Sequence, residues 1–170
     1  SLNESKLSLA DVIGRAVSEA RPFHEEAGVG VEIDCPASIE LLGDRFLITR
    51  AIASLISNAV KFSGHGSHCV IAASAPAEGG VHVKISDNGA GFDVTRLGHL
   101  SSPFRQNSTG LTRSHQGLGI GIPLAKAVFD LHQASMRFTS VPGEGTTVDI
   151  NFPAHRALSA PLQSVQRIAG

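Results

Sequence analysis

Between about Asp87 and Gln116 the chain runs for some thirty residues without helical or strand periodicity, and this segment constrains the fold most. Compact domains seldom carry structureless loops beyond ~12–15 residues unless the loop serves a function. Here it is rich in Ser, Thr and Gly. Patterned segments flank it on both sides, so the chain predicts one compact unit built around a lid.

The flanks are regular. Leu9, Val12, Ile13, Ala16, Val17 and Ala20 recur at helical spacing and predict a first helix over 8–27, which Pro22 should bend or loosen. Val29, Val31 and Ile33 alternate as a short strand, and Glu40 to Leu42 suggests another. Asp44 has the character of an N-cap, opening a helix to Phe62 whose apolar stripe is Ile48, Ile52, Leu55, Ile56 and Ala59. Strands follow at Cys69–Ser74 and Val81–Ser86, joined through Ala77 to Gly80. Beyond the lid, Leu118–His132 predicts a third helix. A last strand pair, Met136–Val141 and Thr146–Phe152, turns at Pro142-Gly143-Glu144-Gly145. Strands and helices do not alternate strictly. The expected fold is therefore α+β: a two-layer α/β sandwich, with a mixed sheet of about five strands and three helices on one face. Residues 1–152 form the expected domain, with the lid at about 93–117. Residues 153–170 read as a C-terminal tail or linker.

The hydrophobic share of 42% and charged share of 17% are ordinary for a globular chain. A net charge of −1 argues against nucleic-acid binding. No apolar run reaches the ~20 residues that span a bilayer, and Ser1 to Ala10 shows no signal-peptide block. The expectation is a soluble, cytoplasmic domain without membrane contact, whose parent can still be anchored in the inner membrane. Cys35 and Cys69 match no metal or redox spacing. His65 and His68 lack further ligands for zinc.

Three constellations carry chemistry. On the second helix Ser54, Asn58 and Lys61 share one narrow stripe. An Asn carbonyl is a hard ligand suited to Mg²⁺, and a Lys one turn on can balance phosphate charge. Asp87-Asn88-Gly89-Ala90-Gly91 follows a strand. There a carboxylate can accept from an amine while glycines let backbone approach a flat ring. Gly117-Leu118-Gly119-Ile120-Gly121-Ile122 opens a helix, where backbone N–H groups and absent side chains suit phosphate. It is neither a dinucleotide fingerprint, since a long loop precedes it, nor a P-loop, since no Gly-Lys-Ser/Thr follows. Taken singly, each reads more readily as an exposed pair, a turn or a chance glycine pattern.

In this order and context the three resemble the GHKL ATPase superfamily, and within it the catalytic ATP-binding domains of two-component sensor histidine kinases. The matching pieces are Leu55 to Phe62, Asp87 to Phe92, Pro103-Phe104-Arg105-Gln106, Gly117 to Ile122 and Gly143 to Thr147. The resemblance covers about residues 8–152 and implies the Bergerat fold with ATP and Mg as cofactors. It implies Asn58 as the Mg²⁺ ligand, with Lys61 near the phosphates, and Asp87 as the adenine-reading carboxylate, helped through water by Thr146. Gly89 and Gly91 would shape the adenine pocket and Phe104 anchor the lid. Gly117, Leu118, Gly119 and Gly121 would wrap the triphosphate, and the lid cations Arg105 and Arg113 would reach phosphate or remain solvated.

Where water-activating members of the superfamily carry a Glu one turn before the Mg²⁺ asparagine, this chain has Ser54, a poor general base. That disfavours an efficient hydrolase. A kinase of this type also needs a phosphoacceptor histidine on a dimerising helical hairpin. His24-Glu25 lies near the end of the first helix and does not fit that role. The expected partners are therefore a separate hairpin and, through it, a response regulator. The alternatives are a nucleotide-binding pseudokinase or scaffold module, and a GHKL ATPase that hydrolyses ATP.

Overall fold

The computed structural model describes residues 1–64, 66–93 and 121–159. The chain opens with β1 (Ser5–Ser8) and α1 (Leu9–Ala27), followed by β2 (Gly30–Asp34) and β3 (Glu40–Gly43). Then come α2 (Arg45–Phe62), β4 (His68–Ser74) and β5 (Val81–Asp87). After residue 120 come α3 (Gly121–Leu131), β6 (Ser135–Val141), β7 (Gly145–Phe152) and a 3₁₀ turn at Ala154–Arg156.

Local chemistry sets the helix bounds. Ser8 caps α1 by accepting from the Asp11 N–H at 3.4 Å. Gly28 ends it in the left-handed region, at φ 68°, which glycine adopts without a Cβ penalty. The helix runs on through Pro22. Pro22 and Ser18 are both exposed, so water can take the Ser18 carbonyl that a proline cannot serve. Asp44 caps α2 as the sequence predicts, its Oδ1 accepting from the Leu47 N–H at 3.1 Å.

A five-stranded sheet has the order β2-β4-β5-β7-β6. β2 and β4 are parallel and every other neighbouring pair is antiparallel. This is the mixed sheet of the expected two-layer α+β sandwich. A two-stranded sheet of β1 and β3, which periodicity in so short a stretch does not reveal, lies beside it. The core gathers Leu9, Val12 and Ile13 of α1, Ile48, Ile52, Leu55 and Ile56 of α2, and Ile71, Val83, Ile85 and Ile150 of the sheet. Each is essentially inaccessible to solvent and stabilises the fold by roughly 1.5–3 kcal/mol relative to exposure. Phe129 of α3 meets Phe152 of β7 edge to face at 6.0 Å.

Beyond Phe152, where the sequence suggests a tail or linker, the chain stays on the body as far as it is described. Arg156 is buried. It donates to the Leu42 carbonyl and to Gln133 Oε1, and pairs with Glu4 at 2.8 Å. The Leu158 N–H donates to the Glu40 carbonyl.

Candidate nucleotide site

The strand register creates the site. Asp87 on β5 is the cross-strand partner of Thr146 on β7, and Thr146 that of Ser140 on β6. Side chains of paired residues lie on the same face of a sheet. The row continues the buried positions Ile85 and Val148, so it faces the helices. Asp87 and Thr146 thereby meet Leu55, Asn58, Ala59 and Phe62 of α2 across a narrow cavity. Ile85, Phe92, Ile122, Phe138 and Val148 supply its apolar walls. Phe92 stands between Phe62 and Phe138, with centroids 5.8 and 6.3 Å away. An apolar cleft with a few convergent polar groups is the usual make-up of a small-molecule site.

Asp87 is held from several sides. The Gly89 N–H donates to its Oδ1 at 2.9 Å. Burial pushes the carboxyl above the ordinary carboxylate range, although the Gly89 N–H, the Ser63 hydroxyl and the Thr146 N–H pull it down. Desolvation disfavours the charged form, and hydrogen bonds to the carboxylate favour it.

Asn58 lies on α2 but not toward open solvent. It is 8% exposed, because α3 packs alongside α2 there. Its Nδ2 has no hydrogen-bond partner among the described residues. The first residue of α3, Gly121, stands against it. Ser54, one turn earlier, flanks the same glycine. Lys61, by contrast, is exposed, and it is not among the residues lining the cavity.

The two glycines after Asp87 serve backbone packing. A Cβ on Gly89 would fall 2.6 Å from the Ser63 Cα and 2.8 Å from the Phe62 carbonyl oxygen. Gly91, at φ 67°, lies against the Val141 carbonyl. They let the turn fit beneath the end of α2 and against the β6–β7 hairpin, between the cavity residues Asp87 and Phe92. Phe104, Arg105, Arg113, Gly117, Leu118 and Gly119 lie outside the described residues.

Reading the sequence did not single out Ser140 or Ser63, and it named Gly145 only within a turn and a matching motif. Ser140 accepts from the Phe92 N–H at 2.8 Å and contacts the Gly145 carbonyl and the Thr146 hydroxyl. Counting back across the expected Pro142–Gly145 turn pairs Ser140 with Thr147, one residue off the observed register, in which it meets Thr146. Gly145 has φ 88° and abuts the Asp87 carbonyl, leaving no room for a Cβ.

The sequence profile of the family described as histidine kinase-, DNA gyrase B-, and HSP90-like ATPase matches residues 43–156. The chain belongs to this family. Its match spans both α2 with Asn58 and the strands carrying Asp87 and Thr146. Within the family it is an ATP-binding domain of the histidine kinase kind. It is 30% identical over 159 residues to the non-motile and phage-resistance protein of Caulobacter vibrioides, covering 92% of this chain and 19% of that protein. It is 29% identical over 162 residues to the cell-division control histidine kinase PdhS of Brucella abortus, covering 90% and 16%. The chain thus spans less than a fifth of the curated relatives it matches. The fold is shared with a mycobacterial sensor histidine kinase, MprB, at a TM-score of 0.73 and 20% identity, covering 94% of this chain and 99% of that one. Full-length ShkA, solved in complex with AMPPNP, aligns at 0.76 and 18% identity over 96% of this chain and 34% of its own.

Proposed function

We propose that the chain binds Mg-ATP in this cavity and donates the γ-phosphoryl group to a histidine on a separate helical hairpin, as a step in two-component signalling. The observation that carries this reading is the Asp87 carboxylate. It is half-buried and anchored by backbone N–H groups in a mostly apolar cleft. A desolvated acceptor at the end of a flat apolar slot suits the exocyclic amine of adenine.

The residues present also fit a magnesium ion. Asn58 is buried with one end of its amide unpartnered among the described residues, and rotation of the amide exchanges its nitrogen and oxygen. An Asn oxygen is a hard ligand of the kind Mg²⁺ takes. When bound, the ion supplies neutralisation of phosphate charge. The chain's own residues hold the nucleotide: Asp87 and Thr146 at the base, Phe62, Phe92 and Phe138 around the ring, and Gly121 at the start of α3. Gly117, Leu118 and Gly119 are assigned to the triphosphate, Phe104 to anchoring the lid, and Lys61 and Arg113 to phosphate charge. Residues 93–117 then form a lid over one ATP-binding unit. Catalysis in such a transfer is mostly positioning and electrostatics.

The hairpin and a response regulator are the partners this reading requires. Ser54 beside Asn58 supplies no general base for water, which favours transfer over hydrolysis. No helix among the described residues is long and apolar enough to cross a membrane.

The test is phosphotransfer in trans. The chain is mixed with the helical hairpin of its parent polypeptide and ATP labelled at the γ-phosphate. Acid-labile, base-stable label on the hairpin supports the proposal. Label absent from the hairpin while ATP is rapidly hydrolysed would replace it with the hydrolase reading.

A further inference from the structure

Ser140 touches the backbone of Phe92, where the lid stretch begins, and the side chain of Thr146, which lines the cavity. It is 8% exposed and does not itself line the cavity. Its hydroxyl has one proton and two lone pairs. The Phe92 N–H, at 2.8 Å, can only donate to it. The Gly145 carbonyl, at 3.0 Å, can only accept from it. Thr146 Oγ1 lies 2.8 Å away, in a contact whose direction geometry alone leaves open.

Proton counting closes that question. If Ser140 gives its single proton to Gly145, the third contact is a hydrogen bond only when Thr146 is the donor. All three contacts are then satisfied at once. The Thr146 proton is thereby spent on Ser140, and lone pairs are all that the hydroxyl offers the cavity. Its neighbour across the ladder, Asp87, is an acceptor as well.

We infer that Ser140 is a specificity-determining positioning residue: it locks Thr146 as an acceptor, so that the base of the cavity offers acceptors only and takes an aminopurine edge over an oxopurine edge. This rests on the proposed nucleotide site. The 6-amino group of adenine donates into such a pair. The 6-oxo group of guanine would bring a third acceptor against two, leaving lone pairs unpaired in a desolvated site. Rejection by unpaired buried polar groups is a stronger filter than shape. With Ser140 removed, the Thr146 hydroxyl turns freely and can donate to an oxo group.

The test uses the whole 170-residue chain. A fluorescent ATP analogue is displaced by ATP and, separately, by GTP, and the ratio of the two affinities is read. The wild type should prefer ATP. Ser140→Ala should lower the GTP-to-ATP ratio of dissociation constants about tenfold, the scale of one buried hydrogen bond mismatch. Ser140→Thr, which keeps the hydroxyl, should restore it. A loss of packing alone would weaken both nucleotides together and leave the ratio unmoved. Should Ser140→Ala fail to fold, Thr146→Val removes the locked hydroxyl and should lower the ratio likewise. A wild type selective for ATP whose ratio survives these substitutions overturns the inference and leaves the site standing, as does a wild type that binds both nucleotides equally. A wild type that binds neither overturns the site itself.

Discussion

Asn58 on α2 and Gly121 at the start of α3 face each other so closely that a Cβ on the glycine would lie 3.3 Å from the Asn58 Nδ2 and 3.7 Å from the Ser54 Cβ. The two helices therefore meet where magnesium and phosphate are proposed to bind. Gly121→Ala should favour the helix, by up to ~1 kcal/mol of propensity, while crowding the amide. The expected outcome is an unchanged or raised melting temperature together with about tenfold weaker Mg-ATP binding, the scale of one hydrogen bond to a charged group. Calorimetric titration beside a thermal melt separates the two effects.

Asp87 sets a pH limit on binding. Burial holds its carboxyl above the ordinary range, which lies near 3.9. The fold thus favours the protonated form. Its contribution to stability is full below the unfolded value and is lost as pH rises through the raised one. Nucleotide affinity should follow the opposite course, since the amine needs an ionised acceptor. Dissociation constants measured downward from pH 8 should begin to rise at a pH above that of an ordinary carboxylate. A profile flat to pH 4 would count against the assignment.

Asp44 works in the other direction. Burial pushes its carboxyl up, but the backbone N–H groups of Asn3, Leu47 and Phe46, together with His132, outweigh this and hold it low. Its cap is therefore at full strength above the unfolded value and lost as pH falls through the lowered one. Asp44→Ala should cost about 1 kcal/mol, seen as a drop of about 3 °C in melting temperature that shrinks in acid.

Arg156 is the buried cation that joins Glu4, Leu42 and Gln133. Removing one partner of a buried pair costs about 3 kcal/mol. Arg156→Ala, or truncation after Phe152, should lower the denaturant midpoint clearly without changing the ratio of affinities for ATP and GTP.

These residues also show what a sequence can disclose. The caps at Ser8 and Asp44 act within three residues, so local pattern bounds α1 and sets the start of α2. Asn58, Asp87 and Thr146 were expected together through the resemblance of the motifs around them, and all three line one cavity. β1 was not legible, since four residues paired with β3 carry little periodicity. Ser140 and Arg156 were not legible either, because their roles depend on strand register and on contacts across the whole chain. Asn58 was expected along a polar stripe, and only the packing of α3 shows that it is buried.

Asp87 and Asn58 are proposed to face one nucleotide cavity, and the decisive experiment is calorimetric titration of ATP into the chain with and without Mg²⁺. Saturable one-to-one binding is predicted. It should be tightened by Mg²⁺ in the wild type, insensitive to Mg²⁺ in Asn58→Ala, and lost in Asp87→Asn at unchanged far-ultraviolet circular dichroism. Near wild-type affinity in folded Asp87→Asn, or no binding by the wild type, would contradict the account.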